Sequence, residues 1–176
     1  LKGLAATGGL VLAARFVPSR AFAAEPKYGA AGMPHGTVND PRVFVEIEPD
    51  GTVSIFCHRA EMGQGVRTGI PLIVAEELDA DWDRVEVIQA VGHEEHFGNQ
   101  DTDGSRSTRH FLKPMREVGA AARMMLEAAA AKRWGVDVKG VQAVNHWVVH
   151  HASGRKLGYG DLAAEAAAMP VPPVEK

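Results

Sequence analysis

The chain has 176 residues, is 45% hydrophobic and carries a formal charge of −3. That length and apolar content suit one globular domain with a real core, and the acidic balance, with no basic stripe, argues against a nucleic-acid binder. The one cysteine, Cys57, excludes a disulfide within the chain.

Leu4 to Ala14 is a short apolar run, too short to span a bilayer as a helix. Ala21-Phe22-Ala23 follows it as an A-x-A cleavage site. Residues 1–23 therefore read as an export signal whose basic start is missing, with Lys2 alone remaining. The Gly- and Ala-containing run is of the twin-arginine type, although no Arg-Arg pair is present, and the expected destination is the periplasm. An ordinary amphipathic starting helix is the plainer alternative. Lys2, Arg15 and Arg20 are unaccompanied by any acid in this segment, so cleavage would leave a more acidic protein.

Residues 24–41 form a Gly-, Pro- and Ala-rich extended lead. Arg42 to Glu48 alternates Val43, Val45 and Ile47 with other residues, the pattern of a half-buried strand. Pro49-Asp50-Gly51 is a turn, and Thr52 to His58 a second strand, which together predict a β-hairpin. Cys57 falls inside that strand and reads as a buried, inert thiol.

Glu61-Met62-Gly63-Gln64-Gly65 comes next and opens a helix. Val66, Ile70, Ile73, Val74 and Leu78 recur at helical spacing, and Pro71 places the helix start close to Gly69. Arg84 to Ala90 is a third strand. Residues 91–106 are polar, a long loop of the kind that carries function. A long helix then runs to about Arg133, with Phe111, Met115, Val118, Ala122, Leu126 and Ala129 on one side and a starting turn or kink near Pro114. The tail holds strands at Val141–Val144 and His146–His150, or one strand with a break, then a short strand at Lys156–Gly158 and a short helix from Asp161 to Met169. Residues 170–176, rich in Pro, are a linker toward a part of the protein that lies downstream. The expected fold is α+β: a mostly antiparallel sheet with two main helices packed on one face, plus a small C-terminal hairpin and helix. The domain spans residues 42–169.

Two loops carry the chemistry. Gly63 and Gly65 lack Cβ atoms, so the chain turns tightly and approaches a ligand closely. The helix behind them offers free N–H groups and a positive dipole end, and Gln64 adds a donor and an acceptor. Gly104-Ser105-Arg106-Ser107-Thr108 is the second loop, with three hydroxyls and, with Arg109, two guanidinium groups suited to phosphate. Taken singly, each loop is also a plain helix start, the second capped by Ser107 or Thr108. As a pair they point to a dinucleotide-sized ligand. A Rossmann site fits poorly: Val85 to Ala90 lacks the terminal acid, and the strand before Gly63 belongs to a hairpin rather than a parallel unit. His93 and His96 have the wrong spacing for a zinc helix, and His146, His150 and His151 read as surface histidines. Asp101-Thr102-Asp103-Gly104 opens like a calcium loop but lacks the closing Glu, so no metal ligand is assigned.

Glu61 to Thr68, Val74 to Leu78, Arg84 to Val87 and Gly98 to Thr108 together resemble the xanthine dehydrogenase family. They look most like the molybdopterin-binding large subunit of its isoquinoline 1-oxidoreductase and periplasmic aldehyde dehydrogenase group. The resemblance covers about residues 40–165. It implies a molybdenum cofactor, as molybdopterin cytosine dinucleotide, with Gly63, Gln64 and Gly65 touching the pterin and Gly104, Ser105, Arg106, Ser107 and Thr108 holding the pterin and phosphate portion. It also implies oxidation of an aldehyde or N-heterocycle with oxygen from water, and electrons leaving through iron–sulfur clusters on a partner. The implied partners are the remainder of the large subunit, a small 2Fe–2S subunit and a c-type cytochrome subunit. Family large subunits are several times longer, and nothing here matches the motif of their catalytic glutamate, so no catalytic residue is assigned and Glu61 is not taken as the base. Alone, the chain is expected to be inactive. A non-catalytic assembly domain of the same fold and a generic periplasmic nucleotide binder are the alternatives.

Overall fold

The computed structural model of the protein describes residues 37–173. The expected export signal, most of the extended lead and the last three residues of the linker lie outside the described residues.

Asp40 and Pro41 start the first element. The Asp40 carboxylate accepts from the Arg42 N–H at 3.0 Å and Pro41 takes the first helical position, where its missing N–H is harmless. One helical turn, α1 (Pro41–Phe44), results, so strand β1 is confined to Val45–Ile47. The strand expected from Arg42 is thus shorter, because a cap followed by proline outweighs the alternation at Val43. β1 pairs antiparallel with β2 (Val53–Cys57), with Val45 opposite Ile55. The turn is closed by the Gly51 N–H on the Glu48 carbonyl at 2.9 Å, with Gly51 at φ 91°.

Helix α2 (Val66–Leu78) begins three residues before Gly69, the start expected from Pro71. Pro71 lies inside α2 and is buried; the preceding turn is secured by the loop described below. A short 3-10 turn at Trp82–Arg84, capped by Asp81, leads into β3 (Val85–Gln89). β3 pairs parallel with β2, Val53 opposite Val85 through Cys57 opposite Gln89. β2 therefore belongs to the expected hairpin and also to a β-α-β unit, which corrects the reading that it sits in a hairpin rather than a parallel unit. The order is β1-β2-β3, with β2 central.

After α3 (Glu94–Phe97) and α4 (Arg106–Arg109), the chain breaks at His110 and Phe111 before α5 (Leu112–Trp134). The break lies where Pro114 predicts it. All six residues of the expected apolar side of α5 are buried, from Phe111 to Ala129. α2 lies on β2 and β3, and α5 runs beside α2 and reaches the second sheet. The two helices meet closely at Gly119: a Cβ there would stand 2.4 Å from the Val74 carbonyl oxygen. Ile55, Val74, Val118 and Leu126 are fully buried in this core.

The second sheet has order β4-β5-β6, all antiparallel: β4 (Val141–Val144), β5 (Trp147–His150) and β6 (Lys156–Gly158). Helix α6 (Tyr159–Ala167) starts two residues earlier than expected, since Asp161 reaches back to accept from the Gly158 N–H at 2.9 Å. The Tyr159 hydroxyl donates to the Leu78 carbonyl at 2.6 Å. His146 is buried: its Nδ1 accepts from the Asp81 N–H, its Nε2 donates to the Gly51 carbonyl at 2.7 Å, and its ring stacks on Tyr159. The expectation of a surface histidine fails here, because this side chain fastens the small sheet to the rest of the protein. Overall the fold is α+β, as expected, and among the described residues three of the four strand pairings are antiparallel.

Candidate functional site

β2 ends at Cys57, and the chain leaves the sheet through His58, Arg59 and Ala60 into the first loop. Residues 61–65 are all exposed. Gly63 and Gly65 have φ of 97° and 81°, and a Cβ on either would meet nothing within 4 Å. The glycines are therefore required by backbone angle, and the space beside them is open. The N–H groups are not free, however. The Glu61 carboxylate accepts from Gly63 at 2.6 Å, Gly65 at 3.0 Å and Arg67 at 2.9 Å. These donors, Arg67 foremost and then Gly65, hold the Glu61 carboxyl below the usual glutamate range. Gln64 also turns back on the loop, donating to the Ala60 carbonyl and accepting from the Met62 N–H. The expected anion-ready helix start is thus already filled by the chain's own carboxylate. What this loop presents is a rigid, open glycine surface suited to the flat face of a heterocycle.

The second loop runs from Asn99 to the start of α4. Gly104 and Ser105 both take positive φ, 46° and 57°. No side chain caps α4, so the plain capping role for Ser107 or Thr108 is not realised. Ser105 and Thr108 are exposed, and their hydroxyls have no hydrogen-bond partner among the described residues. Arg106 pairs with Asp103, whereas the exposed Arg109 enters no ion pair among the described residues. Ser107 is buried.

Four hydrogen bonds among the described residues bind the loops together. Arg59 donates through Nε to Ser107 Oγ at 3.1 Å and through Nη1 to the Asn99 backbone carbonyl and side-chain oxygen, at 2.6 and 2.7 Å. The Ala60 N–H donates to Thr102 Oγ1 at 3.1 Å. Behind them α2 and α4 pack side by side. The eight residues nominated from the sequence thus lie in one region, Gly63 to Gly65 on the first loop, Gly104 and Ser105 at the end of the second, and Arg106, Ser107 and Thr108 in α4 directly behind it. Asn99 and Thr102, which join them, carry no sequence signal beyond their place in the Gly98 to Thr108 stretch, and Arg59 lies outside the quoted motifs altogether, since burial of a charged side chain cannot be read from one sequence. Glu61 was legible as an acid before a helix start, a favoured place for a carboxylate.

His58 is buried between Phe44 and Phe111, with ring centroids 5.1 and 5.0 Å away, and neither of its nitrogens has a partner among the described residues. Burial, then the neighbouring Arg59 charge, push its pKa down to about 3. Cys57 is buried as expected, and burial raises its thiol pKa. His93 and His96 stack on each other on the surface segment. Among the described residues no group of three or more His, Cys, Asp or Glu could hold a metal ion.

The family model described as "Molybdopterin cofactor-binding domain" matches residues 21–175. The isoquinoline 1-oxidoreductase subunit beta of Brevundimonas diminuta is 39% identical over 170 residues, covering 92% of this chain and 22% of that protein. The membrane-bound aldehyde dehydrogenase of Gluconacetobacter polyoxogenes, whose name carries pyrroloquinoline quinone, is 30% identical over 76% of this chain and 17% of its own length. Among solved structures, quinoline 2-oxidoreductase from Pseudomonas putida 86 superposes with a TM-score of 0.55 at 16% identity, over 68% of this chain and 15% of that one, a likeness of fold.

Proposed function

This chain belongs to the molybdopterin cofactor-binding domain family, and from that premise we propose that it is the cofactor-binding N-terminal part of a molybdenum hydroxylase large subunit. The chain spans about a fifth of the isoquinoline relative's length, so the reaction belongs to the whole protein of which this chain is one part. That reaction is the oxidation of an N-heterocycle or aldehyde with oxygen from water. The observation that carries the reading is the fastening of two ligand-type loops into one region through Arg59 and Ala60.

The residues fit molybdopterin. The open glycine surface at Gly63 and Gly65 admits a planar ring at van der Waals distance, where any Cβ would intrude. Gly104, Ser105, Arg106, Ser107 and Thr108 would hold the rest of the pterin and its phosphate, since Ser105 and Thr108 keep unspent hydroxyls. The anionic end belongs at this second loop, because the N–H groups of the first are spent on Glu61. When bound, the cofactor supplies a Lewis-acidic metal that also accepts electrons. The domain of residues 42–169 binds and orients it. The cytosine dinucleotide form, a small 2Fe–2S subunit, a c-type cytochrome subunit and periplasmic location after twin-arginine export complete the proposal. They are supported by the family resemblance and by the signal-like residues 1–23.

The test is the cofactor content of the complete gene product: molybdenum by mass spectrometry and pterin by fluorescence after oxidation. Wild type should hold both. Gly65→Asn, which tolerates the same backbone angle and fills the open space, should hold less than a tenth of the wild-type amount. Pyrroloquinoline quinone in place of molybdenum would overturn the reading in favour of the aldehyde dehydrogenase relative's named cofactor, and a bound nucleotide without molybdenum would favour a generic nucleotide binder.

A further inference from the structure

We propose that Arg59 is the positioning residue that makes the two loops one cofactor site, by fixing the Ser107 hydroxyl as a hydrogen-bond donor toward the cofactor. This rests on the reading that these loops hold molybdopterin.

Arg59 is fully buried, a rare place for a guanidinium. Its acceptors, Ser107 and Asn99, lie 48 and 40 residues away and are all neutral. It joins no ion pair among the described residues, and its Nη2 is buried without a partner. Its guanidinium carbon lies over the Phe111 ring, 4.5 Å from the centroid, at the α4–α5 break, so it also braces the start of α5. Burial disfavours its charge more than the nearby Asp101 and Asp103 carboxylates favour it, so its pKa lies below the ordinary arginine value, and an apolar residue would fill the same space without that cost. Arg59 therefore costs stability at the junction of the two loops, and its geometry shows what it does there.

A serine hydroxyl has one donor and two acceptor positions. Arg59 Nε occupies an acceptor position of Ser107, which leaves the O–H to donate elsewhere, and the adjacent positive charge strengthens that donor. Asn99 is held at both its carbonyl and its side chain, and its Nδ2 donates on to Asp101, so the stretch ahead of Gly104 is fixed from the same cation. Arg59 thus acts on the cofactor through Ser107 and through the path of the second loop.

The experiment uses the complete gene product with bound cofactor, in wild-type, Arg59→Met, Arg59→Lys, Ser107→Ala and Arg59→Met/Ser107→Ala forms. Cofactor loss after dilution is followed by pterin fluorescence, and the bound cofactor by its visible circular dichroism. Arg59→Met and Ser107→Ala should each speed loss about tenfold, the effect of one charge-assisted hydrogen bond. The double variant should be no faster than the worse single one, and Arg59→Lys should fall between wild type and Arg59→Met. The dichroism of the cofactor that remains should change alike in Arg59→Met and Ser107→Ala, a change that loss of fold stability alone would not cause. Wild-type loss rates in Arg59→Met, or effects that multiply in the double variant, would overturn the proposal. Should Arg59→Met fail to accumulate, wild-type rates in both Arg59→Lys and Ser107→Ala would overturn it equally. Absence of molybdopterin from wild type would instead refute the functional reading beneath it.

Discussion

Replacing Gly119 with alanine sets packing against helix propensity and connects both to the site. A Cβ at Gly119 would stand 2.4 Å from the Val74 carbonyl oxygen and 2.8 Å from Glu77 Cβ. An aliphatic carbon accepts an oxygen at about 3.3 Å, so α5 must withdraw from α2 by about 0.9 Å. Overpacking of this kind costs roughly 1–3 kcal/mol, and the better helix propensity of alanine returns about 1 kcal/mol. The net destabilisation should be up to about 2 kcal/mol. Gly69 supplies the control: it lies in α2 with nothing within 4 Å of its Cβ position, so Gly69→Ala should stabilise by up to about 1 kcal/mol. Native-state hydrogen exchange of the α2 and α5 amides reads these local free energies directly. Because α2 carries the first loop at its start and α4–α5 the second, Gly119→Ala should also weaken cofactor retention, while Gly69→Ala leaves it alone. Equal or greater protection in Gly119→Ala than in wild type would refute the packing argument.

Tyr159→Phe removes the donor to the Leu78 and Asp79 carbonyls inside the core and should cost about 1–3 kcal/mol, read from the urea midpoint at constant m-value. His58 is neutral and buried in the folded state, with its pKa depressed to about 3, so the unfolded state binds the extra proton. Its contribution to stability is therefore whole above the ordinary histidine value of 6.5 and is lost as pH falls from there toward about 3. His58→Phe should remove a slope of about 1.4 kcal/mol per pH unit from the unfolding free energy across that window. Glu61 is depressed in the same sense, so its brace holds above the ordinary glutamate value and is lost as pH falls through the lower folded value. Amide chemical shifts of Gly63, Gly65 and Arg67 should move together at that point, and Glu61→Gln should abolish the joint transition.

What the sequence showed follows the range of the forces involved. The β1–β2 hairpin was readable because Pro49-Asp50-Gly51 acts locally, and the buried side of α5 because its period repeats over many turns. The start of α2 was misplaced because Pro71 argues from within the helix, whereas Glu61 secures the first turn from outside it. The turn at α1 has its own local signal in Asp40-Pro41, a cap followed by proline, which competes with the strand-like alternation at Val43 and Val45. The parallel pairing of β2 with β3 was not legible, since pairing depends on where α2 returns the chain. At the site, the glycines and hydroxyls were visible as residue types, while their state was not. Nothing in the sequence shows that Glu61 already fills the loop's N–H groups or that Arg59 is buried against Ser107 and Asn99.

The central claim is that Gly63–Gly65 and Gly104–Thr108 form one molybdopterin grip. A structure of the complete gene product with its cofactor tests it most directly. The pterin should lie against the open face of Gly63 and Gly65, with a cofactor oxygen within hydrogen-bond distance of the Ser107 hydroxyl while Arg59 Nε stays on the same serine. A molybdopterin seated elsewhere, with both loops facing only solvent or protein, would contradict it.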